Sequence, residues 1–102
     1  MCEKIAKTVR RSAKSTKRDF HYVYIIRSKK DCSDLYIGMT SDLRKRLADH
    51  NEQRVRYTKG LAPWELVYYS AFPSRELARE FETYLKSHSG RAFLRKRLIS
   101  PD

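Results

Sequence analysis

The sequence predicts an α+β fold, in which a small three-stranded antiparallel sheet is flanked by helices in the order β-β-α-β-α-α. Three short windows, FHYVYIIRS, LYIGM and WELVYYSAF, are rich in aromatic and β-branched residues and predict strands. Segments with apolar residues at helical spacing follow the second and third windows. A chain of 102 residues, 40% of them hydrophobic, is large enough for one modest core and too small for two.

The first two strands are expected to form a hairpin. The first strand runs from about Tyr22 to Arg27, and the polar stretch KKDCSD separates it from LYIGM. Strand alternation places Tyr22 and Tyr24 on one face and Val23 and Ile25 on the other. Because hairpin pairing brings the second strand alongside the first, a tyrosine from each strand can lie close together.

The first helix is predicted from about Asp42 to His50. Polar side chains at Thr40, Ser41 and Asp42 can cap its start, and Leu43 and Leu47 form an apolar stripe four residues apart.

A loop containing Gly60 and Pro63 leads to the third strand, predicted from about Trp64 to Phe72, and Pro73-Ser74 then caps a second helix. The apolar arc of this helix comprises Leu77, Ala78, Phe81, Tyr84 and Leu85. HSG, which ends at Gly90, is expected to interrupt it. The last helix, AFLRKRLI, should then turn three residues inward: Phe93, Leu94 and Leu98.

The charge favours a polyanionic partner. A protein with a net charge of +11 and a pI of about 10.0 attracts polyanions, of which nucleic acid is the first candidate. The alternatives are binding to an anionic membrane, or a charge that serves only solubility. Residues 1–18 carry seven basic side chains against one acid, Glu3. We therefore expect a mobile basic arm, or alternatively a transit peptide, ahead of a domain formed by residues 19–102.

Other patterns argue against several classes of protein. No apolar run approaches the roughly 18 residues that span a bilayer, and no signal-peptide pattern is present, so we expect a soluble cytoplasmic protein. The two cysteines, Cys2 and Cys32, lack the spacing of zinc ligands and cannot build a disulfide framework.

Two places in the predicted helices could carry chemistry. Arg46 and His50 are four residues apart beside the apolar stripe of the first helix. The alternatives there are a solvated basic face and a histidine that interacts with the helix dipole. Glu82 falls at the rim of the second helix's apolar arc. It is either a metal ligand or the partner of Lys86 in an i,i+4 ion pair.

A family resemblance connects these residues. Tyr22-Val23-Tyr24, an eleven-residue gap and then Tyr36-Ile37-Gly38 resemble the paired signature of the GIY-YIG nuclease superfamily. Tyr22 stands where the glycine of the first motif would be. The resemblance covers about Phe20 to Leu98, and APWELVYY and LKSHSGRAFLRKRL look like its small, single-domain bacterial branch. That branch is related to the nuclease domains of excision-repair proteins and homing endonucleases.

The resemblance implies metal-dependent hydrolysis of phosphodiester bonds in DNA, and RNA remains an alternative substrate. Cleavage that selects particular DNA structures in repair or recombination is one form this activity could take. The catalytic residues it implies are Tyr24, Tyr36, Arg46, His50 and Glu82. Glu82 would hold one Mg²⁺ or Mn²⁺, and Arg46 would face the charge that builds on the phosphate. One of the two tyrosines would help deprotonate water with the aid of His50, and Gly38 would be a structural residue near the site.

The expected phosphate contacts are five basic residues: Arg44, Lys45, Lys59, Arg91 and Arg95. Each could equally be a solvated surface charge. Two non-enzymatic alternatives remain open, namely a catalytically inactive basic module that binds nucleic acid and a domain that recruits a protein partner. The sequence leaves the pathway, the oligomeric state and the identity of the tyrosine base undetermined.

Overall fold

The computed structural model of the chain describes residues 19–99, so the predicted arm at residues 1–18 lies outside the described part. The strands are β1 (His21–Ser28), β2 (Leu35–Thr40) and β3 (Trp64–Phe72). The helices are α1 (Leu43–Asn51), α2 (Arg75–Lys86) and α3 (His88–Phe93), and α3 continues into a π-helical turn, Leu94–Leu98. A 3₁₀ turn, Arg56–Thr58, lies between α1 and β3. This order confirms the predicted α+β class.

The sheet has β1 at its centre, in the order β2-β1-β3 with both pairings antiparallel. Tyr24 of β1 lies opposite Gly38 of β2 and opposite Tyr69 of β3. The pairing with β3 shifts register between Ile25 and Ile26. Because strands cover both edges of β1 and helices cover both faces of the sheet, the middle residues of β1 are almost completely buried and form the centre of the molecule.

Helices pack on both faces of the sheet. Val23 and Ile25 face a core cluster that includes Ala78 and Leu85 of α2 and Leu94 of the π-helical turn. On the opposite face, Tyr24, Ile26 and Trp64 pack with Leu43 and Leu47 of α1. The predicted alternation along β1 is therefore correct, and it turns Tyr24 towards α1.

The break between the last two helices lies at Ser87, so the predicted interruption at HSG is wrong. The Ser87 N–H and hydroxyl both donate to the Tyr84 carbonyl oxygen, at 3.0 and 2.6 Å, which ends α2. The same hydroxyl oxygen accepts from the Gly90 N–H at 3.1 Å and caps α3. HSG is consequently the first turn of α3, because one serine can satisfy both helix ends.

The prediction of which side chains on the last two helices face the core is only partly correct. Leu94 is fully buried, but Phe93 is 37% exposed, because it lies about 100° around the helix from the buried position that Leu94 takes. Leu77 and Tyr84, at the edge of the α2 arc, are also exposed, and the Tyr84 ring packs on Phe93 instead of the core. Within the described residues, no helix is long and apolar enough to cross a membrane.

Gly90 allows α3 to approach the end of α2 closely. A Cβ built on Gly90 would lie 2.5 Å from the Tyr84 carbonyl carbon, a backbone atom that cannot move without distorting α2. We expect Gly90→Ala to lower the free energy of unfolding by about 1–3 kcal/mol, as overpacking typically does. Urea unfolding followed by circular dichroism measures this change. Ser89→Ala, on the exposed side of the same turn, is the control and should change stability by less than about 0.5 kcal/mol. Equal stability of the two variants would contradict the packing argument.

Candidate active site

The orientation of α1 is fixed at both of its ends. The Asp42 carboxylate accepts from the Lys45 N–H at 3.1 Å and caps the first turn. At the other end, the Asn51 side-chain oxygen accepts from the Trp64 N–H, and its amide nitrogen donates to the Trp64 carbonyl oxygen at 3.3 Å. This double hydrogen bond ties the end of α1 to the start of β3. His50, one residue before Asn51, consequently points into the sheet.

His50 is fully buried and has a hydrogen-bond partner at each ring nitrogen. Its Nε2 lies 2.8 Å from the Tyr24 hydroxyl, and its Nδ1 lies 2.8 Å from the Thr58 hydroxyl. The Thr58 hydroxyl donates to the Val55 carbonyl oxygen at 3.4 Å, so it is free to accept from an Nδ1–H of His50. The network thus assigns Nε2 as the acceptor of the Tyr24 proton.

Burial shifts the titration of this pair in opposite directions. Burial lowers the pKa of His50 to about 4, and the positive charge of Arg46 is the next cause. Burial raises the pKa of Tyr24 to about 12, although its hydrogen bond with Arg46 opposes the rise. At neutral pH the pair is therefore a protonated phenol that donates to a neutral imidazole.

Arg46 interacts with the phenols of both predicted active-site tyrosines. The pKa of Arg46 is raised chiefly by its hydrogen bond with Tyr24, and a hydrogen bond with Tyr36 raises it further. The Tyr36 ring also packs on His50, with 4.9 Å between ring centroids. Arg46 is only partly buried, so its guanidinium can meet a ligand from solvent while the phenols hold it in place.

Gly38 makes room for the side chain of Tyr24. The Tyr24 ring crosses over Gly38, and a Cβ there would lie 2.6 Å from the Tyr24 Cζ. The missing side chain therefore allows close approach of the tyrosine ring. A bulkier residue at this position would push Tyr24 away from His50.

Glu82 comes from α2, and its side chain is 19% exposed. It forms the i,i+4 ion pair with Lys86, at 3.1 Å, that was one of the two interpretations of the sequence. Its charge is also the smallest of the named causes that raise the pKa of Tyr24, so the carboxylate lies within electrostatic range of that phenol.

The side chains available to bind a metal suit an ion that keeps most of its coordinated waters. Among residues 19–99 there is no group of three or more His, Cys, Asp or Glu side chains that could hold a metal. Mg²⁺ keeps several waters and is commonly bound by one or two carboxylates together with substrate phosphates. A single carboxylate, that of Glu82, is enough for such binding once Lys86 moves away from it.

The five basic residues expected to contact phosphate are all exposed. Arg44 and Lys45 lie on α1, where Lys45 also pairs with Asp49 at 3.5 Å. Lys59 follows the 3₁₀ turn, and Arg91 and Arg95 lie on α3 and on the π-helical turn. They are therefore distributed over several elements of the fold.

Sequence reasoning missed Thr58 and Asn51. Thr58 is 1% exposed and sets the tautomer of His50, yet a threonine in the loop RYTKG carries no periodic signal. Asn51 follows His50 directly, and only its pairing with Trp64, thirteen residues on, shows its role.

Comparisons with known proteins show the family of this chain. The family model for the GIY-YIG catalytic domain matches residues 20–97. A UPF0213 protein from Haloquadratum walsbyi is 39% identical over 74 residues, covering 70% of this chain and 79% of that protein. For a UPF0213 protein from Streptococcus pyogenes the identity is 39% over 74 residues, with 70% and 76% covered. The solution NMR structure of a UPF0213 protein from Bacillus halodurans matches with a TM-score of 0.50 and 34% identity, covering 80% of this chain and 88% of that one.

The neutral state of His50 makes stability depend on pH. Because its pKa is about 4 in the folded chain and about 6.5 in an unfolded one, the unfolded chain binds the extra proton between these values. The stabilisation is fully present above about pH 6.5 and is lost as the pH falls towards 4, by roughly 2–3 kcal/mol. Urea unfolding of the wild type and His50→Gln across this range measures it. The wild type should show the steeper dependence, and parallel curves would refute a buried neutral histidine.

Proposed function

The chain belongs to the GIY-YIG catalytic-domain family, a family of nucleases, and from that premise we propose that it is a divalent-metal-dependent endonuclease that hydrolyses phosphodiester bonds in DNA. One observation carries the proposal. A phenol, Tyr24, donates to a buried neutral imidazole, His50, and a guanidinium, Arg46, lies against the same phenol. This arrangement can accept a proton from water beside a group that binds phosphate.

The proton path begins at Tyr24. As the phenol oxygen takes a proton from the attacking water, its own proton passes to the Nε2 of His50 over the 2.8 Å hydrogen bond. Thr58 holds the Nδ1–H side of the ring in place, so the acceptor nitrogen stays aimed at Tyr24. Tyr24 thus need not become a free phenolate at neutral pH.

Arg46 prepares the site for an anion. Its fork of N–H donors can bind two phosphate oxygens and stabilise the charge that develops on them during hydrolysis. The positive charge of Arg46 is also one cause of the low pKa of His50. A bound phosphate offsets that charge, so substrate binding makes His50 a better proton acceptor.

Glu82 would hold the divalent ion, Mg²⁺ or Mn²⁺, at the exposed edge of the cluster, with Lys86 released to solvent or to a substrate phosphate. When bound, the ion would lower the pKa of a coordinated water and polarise a phosphate oxygen. A protein that only binds nucleic acid has little use for a carboxylate here, because the negative charge repels phosphate. The position of Glu82 therefore favours the enzyme over an inactive binding module.

We assign the proton-accepting role to Tyr24 and a positioning role to Tyr36. Tyr24 is 1% exposed and is the tyrosine bonded to His50, whereas Tyr36 touches the imidazole through its ring. Tyr36 is partly exposed and interacts with Arg46, so it can orient the guanidinium or the incoming phosphate.

The substrate is proposed to be DNA bound chiefly through its phosphates. The net charge of +11 and the exposed basic residues Arg44, Lys45, Lys59, Arg91 and Arg95 suit contact with a phosphate backbone. We therefore expect binding that weakens steeply with salt and cleavage directed by DNA structure, as in repair or recombination, more than by base sequence.

Removal of the Glu82 carboxylate should slow cleavage strongly and keep binding. We expect Glu82→Gln to nick supercoiled plasmid about 100-fold more slowly than the wild type in Mg²⁺ or Mn²⁺, and EDTA to stop both proteins. Affinity for the same DNA should change less than about threefold. Glu80→Gln, an exposed carboxylate on the same helix, is the matched control and should nick like the wild type. Metal-dependent nicking that survives Glu82→Gln would refute the assigned metal ligand.

The two tyrosines should differ in their effect on rate. Tyr24→Phe removes the proton path and should lower the single-turnover rate of cleavage at least about 100-fold, the usual contribution of general acid–base catalysis. Tyr36→Phe keeps the ring that packs on His50 and should cost less than about tenfold. The pH dependence of the rate should also flatten only in Tyr24→Phe. The reverse order of losses would move the proton-accepting role to Tyr36.

A further inference from the structure

A second surface feature lies on the same side of the sheet as the candidate active site. It is a groove of about 410 Å³ between the start of α1 and the sheet. Its walls include Tyr22 of β1, Tyr69 of β3 and the residues Leu43 and Leu47 of α1. This volume lies near the lower end of the range for small-molecule sites, about 300–1,000 Å³, and is suited to a ligand the size of a nucleoside.

Two tyrosine rings line the groove. The Tyr22 and Tyr69 ring centroids are 6.1 Å apart with a tilt of 59°. Tyr69 is 52% exposed, an unusual degree of exposure for an aromatic residue on the packed face of a sheet. Exposed aromatic rings beside basic residues are the platform on which proteins stack unpaired nucleobases.

The charges at the rim favour a base over a phosphate. Arg44 lines the groove and can hold a phosphate at its mouth, or stack on a base. Asp42 also lines it, and one oxygen of its carboxylate is already used as the cap of α1. The remaining acceptor would repel a phosphate inside the groove, but it can accept from the N–H groups on the edge of a base.

The groove adjoins the active site across α1. Tyr69 lies directly opposite Tyr24 in the β1–β3 pairing, and the Tyr24 ring leans the other way, over Gly38. Arg44 and Arg46, two residues apart, project from opposite flanks of α1. One flank therefore carries the phosphate-binding arginine of the active site, and the other carries the groove, a helix diameter of about 10–12 Å away.

We propose that this groove binds an unpaired nucleobase of the DNA strand that is cut, a few nucleotides from the scissile phosphate at Arg46. The inference rests on the proposed nuclease function and narrows its substrate to DNA with unpaired nucleotides next to a duplex, such as a tail, flap or gap. A fully paired base cannot enter the groove without leaving its stack, which costs a few kcal/mol. The groove thus supplies selectivity for DNA structure.

A binding experiment without metal separates the base from the backbone. Two labelled hairpin duplexes carry a short single-stranded extension, made of deoxycytidines in one and of abasic sites in the other, with the same number of phosphates. Fluorescence anisotropy with the full chain in EDTA gives each affinity without cleavage. We expect the wild type to bind the deoxycytidine probe about tenfold more tightly, the usual contribution of one stacked base.

Variants then test the groove itself. Tyr69→Ala and Tyr22→Ala should each remove most of the tenfold difference while leaving the affinity for the abasic probe unchanged, and Tyr69→Phe, which keeps the ring, should retain it. Tyr84→Ala is the matched control, because Tyr84 is 41% exposed on α2 and packs outside the groove. Circular dichroism checks that each variant is folded.

The outcomes distinguish this inference from the function on which it rests. Equal affinity of the wild type for the two probes, or a preference that survives Tyr69→Ala and Tyr22→Ala, would overturn the groove as a base site even where nicking depends on Glu82. Absence of binding to either probe would overturn the base site and the DNA substrate together.

Discussion

The hydrogen bond between the Tyr24 hydroxyl and the His50 Nε2 is the contact on which the candidate site depends. It joins the central strand to α1 inside the protein, where a polar group without a partner would cost a few kcal/mol. The rest of the local structure serves this bond. Gly38 leaves room for the Tyr24 ring, Asn51 fixes the end of α1 against Trp64, and Thr58 occupies the second nitrogen of the imidazole.

The same burial explains why His50 and Tyr24 are both neutral in the resting site. Removal of water disfavours both the imidazolium and the phenolate, so His50 stays unprotonated and Tyr24 stays protonated. Arg46 is held by the phenols but remains partly open to solvent. A site of this kind responds to an anion, because phosphate both pairs with the arginine and removes part of the electrostatic penalty on His50. Binding and proton transfer are thereby coupled through one side chain.

The candidate residues come from elements on both faces of the sheet. Tyr24, Arg46 and His50 lie on the α1 side, whereas Glu82 lies on α2, which packs on the other face, and its charge contributes to the raised pKa of Tyr24. Lys86 neutralises the carboxylate in the absence of a ligand. On the other flank of α1, the tyrosine-lined groove is a second candidate binding surface on the same face of the sheet, with Arg44 at its rim.

The order of strands and helices and the alternation along β1 were predictable from the sequence, because they follow from local patterns: period-two alternation, helical spacing and capping residues. The family resemblance joined Tyr24, Tyr36, Arg46, His50 and Glu82 through the order and spacing of their motifs. The sequence did not reveal the helix break at Ser87, the exposure of Phe93, the ring of Tyr24 over Gly38 or the role of Thr58. It also left the choice between the two tyrosines open. Each of these depends on which atoms meet after the helices pack on the sheet, and contacts between distant parts of the chain leave no periodic trace in it.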